Sequence, residues 1–100
     1  MNLEALERQA GAAEGLLKAI ANRRRLTILC ELTNGERSVS DLGAAIGLSQ
    51  SALSQHLGKL RADGLVAFRR TAQTLHYRVA DRRALQVLQV LKQIYCGDLK

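Results

Sequence analysis

One hundred residues, no proline and only three aromatics (Phe68, Tyr77 and Tyr95) make one small domain, with a core of Leu, Ile, Val and Ala that is marginal without a staple or a partner. The longest uncharged, mostly apolar stretch, Leu42–Leu48, is too short to cross a bilayer, and Glu4, Glu7 and Glu14 stand where a secretory leader needs a basic and then an apolar run; the expectation is a cytoplasmic protein with no membrane partner. The net charge of +6 lies wholly in the second half, where nine Lys/Arg meet three Asp/Glu, against six and six in residues 1–50, a bias that suits a polyanion partner or a solvated face alike.

From Leu3 to Ala21 the apolar positions Leu3, Leu6, Ala10, Ala13, Leu17 and Ile20 recur at steps of three and four, with Leu16 and Ala12 widening the stripe. This is an amphipathic helix with more apolar surface than one small core needs. Asn22 suits the cap of a second helix over Arg23–Thr33, with Leu26, Leu29, Cys30 and Thr33 on one face, and Asn34-Gly35 ends it.

The segment 38–66, SVSDLGAAIGLSQSALSQHLGKLRADGLV, starts a helix at Ser40-Asp41, stops it at Gly47, and caps a second one at Ser49. That second helix runs to about Asp63 with Leu53, Leu57 and Leu60 on its apolar face, and Gly64 ends it. Two short helices joined by a tight glycine-containing turn form a helix-turn-helix, here about residues 40–63.

After Gly64 the period changes to two. Val66 and Phe68 alternate, then Leu75, Tyr77 and Val79, with Thr74, His76 and Arg78 facing the other way and Arg69–Gln73 between them. This predicts a β-hairpin wing with a basic tip over about residues 65–79. Asp81 caps a last helix to about residue 96, striped by Ala84, Val87, Leu88, Leu91, Ile94 and Tyr95, with Leu85 and Val90 outside the stripe. The fold class is therefore mainly α with a hairpin wing, a winged helix-turn-helix of order ααααββα filling residues 1–100. Surplus apolar surface on the first and last helices (about 3–21 and 81–96) points to a homodimer.

That order of elements suits double-stranded DNA, whose major groove admits one helix bearing short polar side chains. Ser51, Ser54, Gln55, Gly58 and Arg61 lie opposite the leucine stripe, and the free N–H groups near Ser49 and Gln50 can receive a phosphate. Lys59 adds charge, and Arg69, Arg70 and Arg78 on the wing can reach the adjacent backbone. His56 sits beside the leucine stripe, which favours a partly buried side chain over one that reads bases; His76 is either a phosphate contact or an exposed strand residue. There is no Cys-x-x-Cys, no Ser/His/Asp constellation and no phosphate-cradling glycine loop, so an enzyme is not expected.

The runs LLKAIANRRRLTILCEL, SVSDLGAAIGLSQSALSQHLGKLRADGLV and RRTAQTLHYRV together resemble the ArsR/SmtB family of dimeric winged-helix repressors over nearly the whole chain. The resemblance implies a homodimer, operator binding when uninduced, and release on sensing a metal or a chemical stress. The arsenic and cadmium branches carry Cys-x-Cys where this chain has Ser38 and Ser40, and the zinc branch uses Asp and His pairs on a last helix that here has Asp81 and no His. Serine hydroxyls are poor ligands for such metals, so no metal or other cofactor is expected.

A lone Cys30 on the second helix and Cys96 on the last, in the tracts ILC and IYC, with a glycine-free wing tip carrying Gln73, resemble the dithiol branch, the BigR/SqrR/HlyU-like sensors of sulfide, persulfide and oxidants. That resemblance implies a disulfide or polysulfide link between the two thiols, with a reactive sulfur or oxidant species as inducer. Residue chemistry alone leaves the question open. Lys92 and Lys100 flank Cys96 and favour its thiolate, its place near a helix C-terminus opposes that, and Cys30 reads equally as a small core residue. The alternatives are a related repressor answering a metal or another ligand, and a winged-helix module with no thiol switch.

Overall fold

The computed structural model describes residues 2–97; Lys100 lies outside them. Eight elements follow one another: α1 (Leu3–Ile20), α2 (Arg23–Leu32), β1 (Arg37–Ser38), α3 (Val39–Ile46), α4 (Gln50–Ala62), β2 (Val66–Thr71), β3 (Thr74–Val79) and α5 (Arg82–Cys96). The helices start where short polar side chains can satisfy free N–H groups. Asn22 Oδ1 accepts from the Arg24 and Arg25 amides at 3.1 and 3.0 Å. Asp81 Oδ1 accepts from Arg83 and Ala84 at 2.8 and 3.1 Å, and Ser49 Oγ from Ala52 at 3.2 Å. Gly47, at φ 70°, ends α3 in the left-handed conformation, so the chain turns into α4 within three residues.

The core is aliphatic. Ile28 and Leu29 of α2, Leu42 of α3, Leu53, Leu57 and Leu60 of α4, and Leu88 of α5 are fully buried, and Tyr77 of β3 closes the sheet side. Each such Leu or Ile contributes about 1.5–3 kcal/mol of burial free energy, so this one cluster fixes α4 against the rest of the domain.

Five details depart from expectation. A third strand, the two-residue β1, pairs antiparallel with β3 (Arg37 opposite Tyr77, Ser38 opposite His76), giving a sheet of order β1-β3-β2. Accordingly α3 begins at Val39, not at Ser40-Asp41: Ser38 is both the last strand residue and the cap, its Oγ accepting from the Asp41 amide at 3.0 Å. On α1 the expected stripe is not the core face. Only Ile20 is buried, with Leu16 and Ala19 packed beside it, while Leu3, Leu6 and Leu17 are 68%, 49% and 53% exposed. On α2 the buried face is Ile28, Leu29 and Leu32, leaving Leu26 and Cys30 half-buried at its edge. On α5 the core takes Ala84 and Leu88 with Val87 against them, but Ile94 and Tyr95 join Val90 on the surface. Among the described residues, no helix is long and apolar enough to cross a membrane.

Candidate nucleic-acid interface and thiol groove

Helix α4 presents two opposed faces. Leu53, Leu57 and Leu60 anchor it, which leaves Gln50, Ser51, Ser54, Gln55, Gly58, Lys59 and Arg61 exposed on the other side. Ser49 is exposed, with its oxygen committed to the Ala52 amide. His56 is half-buried between the two faces, as its place beside the leucine stripe implies. The β2–β3 hairpin stands beside this helix. A cleft of about 290 Å³ between them is lined by Ser40 of α3, Gln50 and Ser54 of α4, and Gln73 and Thr74 of the wing, so the short polar side chains of the helix and the wing tip share one concave surface.

The arginines assigned to this surface are not equivalent. Arg70 and Arg78 are exposed, and among the described residues neither has an ion-pair partner. Arg69 is engaged: its Nε lies 2.9 Å from both oxygens of Glu36, its Nη2 2.7 Å from Oε1, and its Nη1 donates to the Thr71 hydroxyl. Those hydrogen bonds, with the charges of Arg69, His76 and Arg78, hold the exposed Glu36 carboxyl below the usual carboxylate range. Arg61 lays its guanidinium 4.4 Å over the Phe68 ring, and so ties the end of α4 to the wing. Sequence reasoning missed Glu36. Nothing marks a loop glutamate as the partner of an arginine 33 residues away.

The two cysteines lie near the end of α2 opposite its cap. Cys30, half-buried, and Cys96, exposed, are both free thiols. They line one groove of about 430 Å³ between α2 and α5, together with Leu26, Leu91, Lys92 and Tyr95. Burial pushes the Cys30 thiol above its ordinary value. The charge of Lys92 works against that shift, and Cys96 adds to it. Lys92 was expected beside Cys96, yet its Nζ reaches across to Thr33 Oγ1 and Asn34 Oδ1, both at 2.9 Å. Ser38 and Ser40, where the metal-sensing branches have cysteines, act respectively as a helix cap and as part of the cleft wall. Among the described residues, no three His, Cys, Asp or Glu side chains cluster to hold a metal.

Residues 22–67 match the family model for bacterial regulatory proteins of the arsR family. The transcriptional activator HlyU of Vibrio cholerae serotype O1 is 48% identical over 96% of this chain and 89% of its own length. The chain belongs to the arsR family. A solved structure of reduced HlyU from Vibrio cholerae is 47% identical, with a TM-score of 0.88 over 94% of this chain and 99% of that one. The transcriptional regulator HlyU of Vibrio vulnificus is 50% identical, with a TM-score of 0.92 over 96% of this chain and 100% of that one. The biofilm growth-associated repressor of Xylella fastidiosa is 38% identical over 100% of this chain and 88% of its own. This arsR-family chain is a winged-helix, DNA-binding transcription regulator, with α3 and α4 as its helix-turn-helix and β2–β3 as its wing.

Proposed function

We propose that the protein is a homodimeric, non-enzymatic repressor whose grip on its operator is controlled by linkage of Cys30 to Cys96. The observation that carries this reading is the groove that both thiols line, one contributed by α2 and the other by α5. Intracellular disulfides are usually transient and sensing, and a half-buried thiol and an exposed one lining the same groove from two helices suit a switch better than a staple. The homodimer is supported by the exposed apolar side chains of α1 and α5, which need a cover, and by the expectation that two recognition helices must stand about 34 Å apart to enter successive major grooves. Pulling α5 toward α2 changes that separation. Repression is the mode of the Xylella fastidiosa relative, whereas HlyU of Vibrio cholerae is named an activator.

With a peroxide the chemistry balances as two thiols and one peroxide giving one disulfide and two waters. The exposed Cys96 thiolate attacks the O–O bond and expels hydroxide, leaving a sulfenic acid. The Cys30 thiolate then attacks that sulfur and expels the second hydroxide, and the two thiol protons neutralise both. With an organic persulfide, Cys96 takes up the outer sulfur and releases the organic thiol. Cys30 then displaces hydrosulfide to give the same disulfide.

The test is mass spectrometry and operator binding on the same samples. Peroxide- or persulfide-treated protein should gain a Cys30–Cys96 crosslink and lose operator affinity, and Cys30→Ser and Cys96→Ser should each abolish both responses. If both variants still release the operator, the switch lies elsewhere, and titration with zinc, cadmium or arsenite distinguishes the metal-responsive reading.

A further inference from the structure

Helix α5 carries Lys92 and Cys96 four residues apart, one turn along the same face. The lysine does not turn toward that cysteine. Its ammonium crosses the groove and donates to Thr33 Oγ1 and Asn34 Oδ1, each at 2.9 Å, at the C-terminal end of α2. The Thr33 hydroxyl in turn donates to the backbone carbonyl of Cys30 at 2.6 Å. With that proton committed to the carbonyl, the Thr33 oxygen can only accept from Lys92, so the direction of both bonds is fixed. The end of α2 also carries the negative pole of its peptide dipoles, which favours a cation there. Lys92 is thus fastened, through Thr33 and Asn34, to the end of the helix that bears one thiol while riding on the helix that bears the other.

We propose that Lys92 is the positioning residue of the thiol pair, holding a positive charge at the Cys30 side of the groove so that Cys30 is the thiol that closes the link after Cys96 has reacted. The proposal rests on the thiol-pair reading above. The other titratable groups that line the groove do not supply this charge. Glu31 on α2 is paired with Arg37 at 3.2 Å, and α5 otherwise contributes Tyr95 and Cys96. The opposing influences on Cys30 fit that order of events. Burial and the neighbouring Cys96 disfavour its thiolate, and Lys92 favours it. Once Cys96 is a neutral sulfenic acid its charge no longer opposes Cys30, while Lys92 remains. Ionisation of Cys30 therefore becomes easier at the step that needs it.

The experiment reads Cys30 directly. In the full chain carrying Cys96→Ser, alkylation of Cys30 by iodoacetamide is followed by intact mass from neutral to alkaline pH. Adding Lys92→Met should slow alkylation at neutral pH by about three- to tenfold and move the profile to higher pH, and Lys92→Arg should restore it. Thr33→Val keeps the ammonium but removes one anchor; it should shift the profile the same way by less, and it carries the test if Lys92→Met does not fold. In the chain with both cysteines, Lys92→Met should accumulate a dimedone-trappable sulfenic acid on Cys96 during peroxide treatment. A pH profile unmoved in both Lys92→Met and Thr33→Val overturns the proposal, as does Lys92→Arg behaving like Lys92→Met. Failure of the switch itself is separable, because operator release that ignores both cysteines leaves the alkylation profile as stated.

Discussion

Arg69 and Glu36 meet side-on at the wing, Nε 2.9 Å from both carboxylate oxygens, so this wing arginine is already neutralised before any DNA arrives. A phosphate must displace Glu36 to use it, whereas Arg70 has no such competitor among the described residues. Arg70→Ala should therefore flatten the dependence of log affinity on log salt by about 0.9, the slope of one phosphate contact, and Arg69→Ala should flatten it by less. Glu36→Gln should steepen it. The same pair gives a pH signature. Glu36 is held below its unfolded value, so its contribution to folding is present above the ordinary carboxylate range and is lost as pH falls through its lowered value. Glu36→Gln should remove that acid-side loss, measured by denaturation at a series of pH values; equal salt slopes for all three variants would exclude the competition.

Gly58 sits mid-helix on the exposed side of α4, and a Cβ built there meets nothing within 4 Å. Folding gains nothing from glycine at that position, since Gly in a helix interior costs about 0.8–1 kcal/mol relative to Ala. A helix pressed into a groove does gain, because the missing side chain lets the backbone come closer to the base edges. Gly58→Ala should accordingly raise unfolding stability by about 1 kcal/mol in denaturant titration while weakening operator binding. Stability and affinity rising together would mean that this face does not enter the groove.

Local rules were enough for much of the fold. Asn22, Ser49 and Asp81 could be named as caps and Gly47 as a helix stop from their neighbours alone, because each acts within four residues of itself. What stayed hidden needed a partner far away in the chain. Strand β1 is two residues long and has no period to read; it exists because β3 pairs with it, and that pairing makes Ser38, not Ser40, the cap. The stripes on α1 and α5 were visible, but a helix with apolar residues on more than one side does not say which side meets the core. The same divide runs through the site. The exposed polar residues of α4 could be recognised by their spacing opposite Leu53, Leu57 and Leu60. The Arg69–Glu36 pair, Arg61 over Phe68 and the reach of Lys92 to Thr33 could not.

The exposed faces of α1 and α5 make the dimer testable without disturbing the core. Leu17 is 53% exposed on α1, beside Leu6, Ala10 and Ala13 along one shallow apolar groove. Leu17→Glu should leave helical content and the thermal transition of the monomer fold intact, yet bury a charge in any interface built on this face, at a cost of several kcal/mol. Sedimentation should then show a monomer, and operator affinity should fall because two half-sites can no longer be bound together. A Leu17→Glu protein that remains dimeric would move the interface to α5 alone or to another surface.

Phe68 couples the wing to the recognition helix from the middle of β2. Its ring lies under the Arg61 guanidinium at 4.4 Å and 5.4 Å from the Tyr77 ring, tilted by 57°. Tyr77 is buried in the core side of the sheet, so the sequence of contacts runs from α4 through Arg61 and Phe68 into β3. Replacing Phe68 by Leu keeps most of the apolar bulk and removes the aromatic face. The loss should be about 1–2.5 kcal/mol, the sum expected for one exposed cation–π contact and one aromatic pair. A double-mutant cycle of Phe68→Leu with Arg61→Met isolates the first of these, and should return a coupling of about 0.5–1 kcal/mol. A coupling indistinguishable from zero would mean that Arg61 rests on the ring without holding it. The wing would then be set by the β3 ladder alone, and Arg61 would be free to reach a phosphate at no cost to the fold.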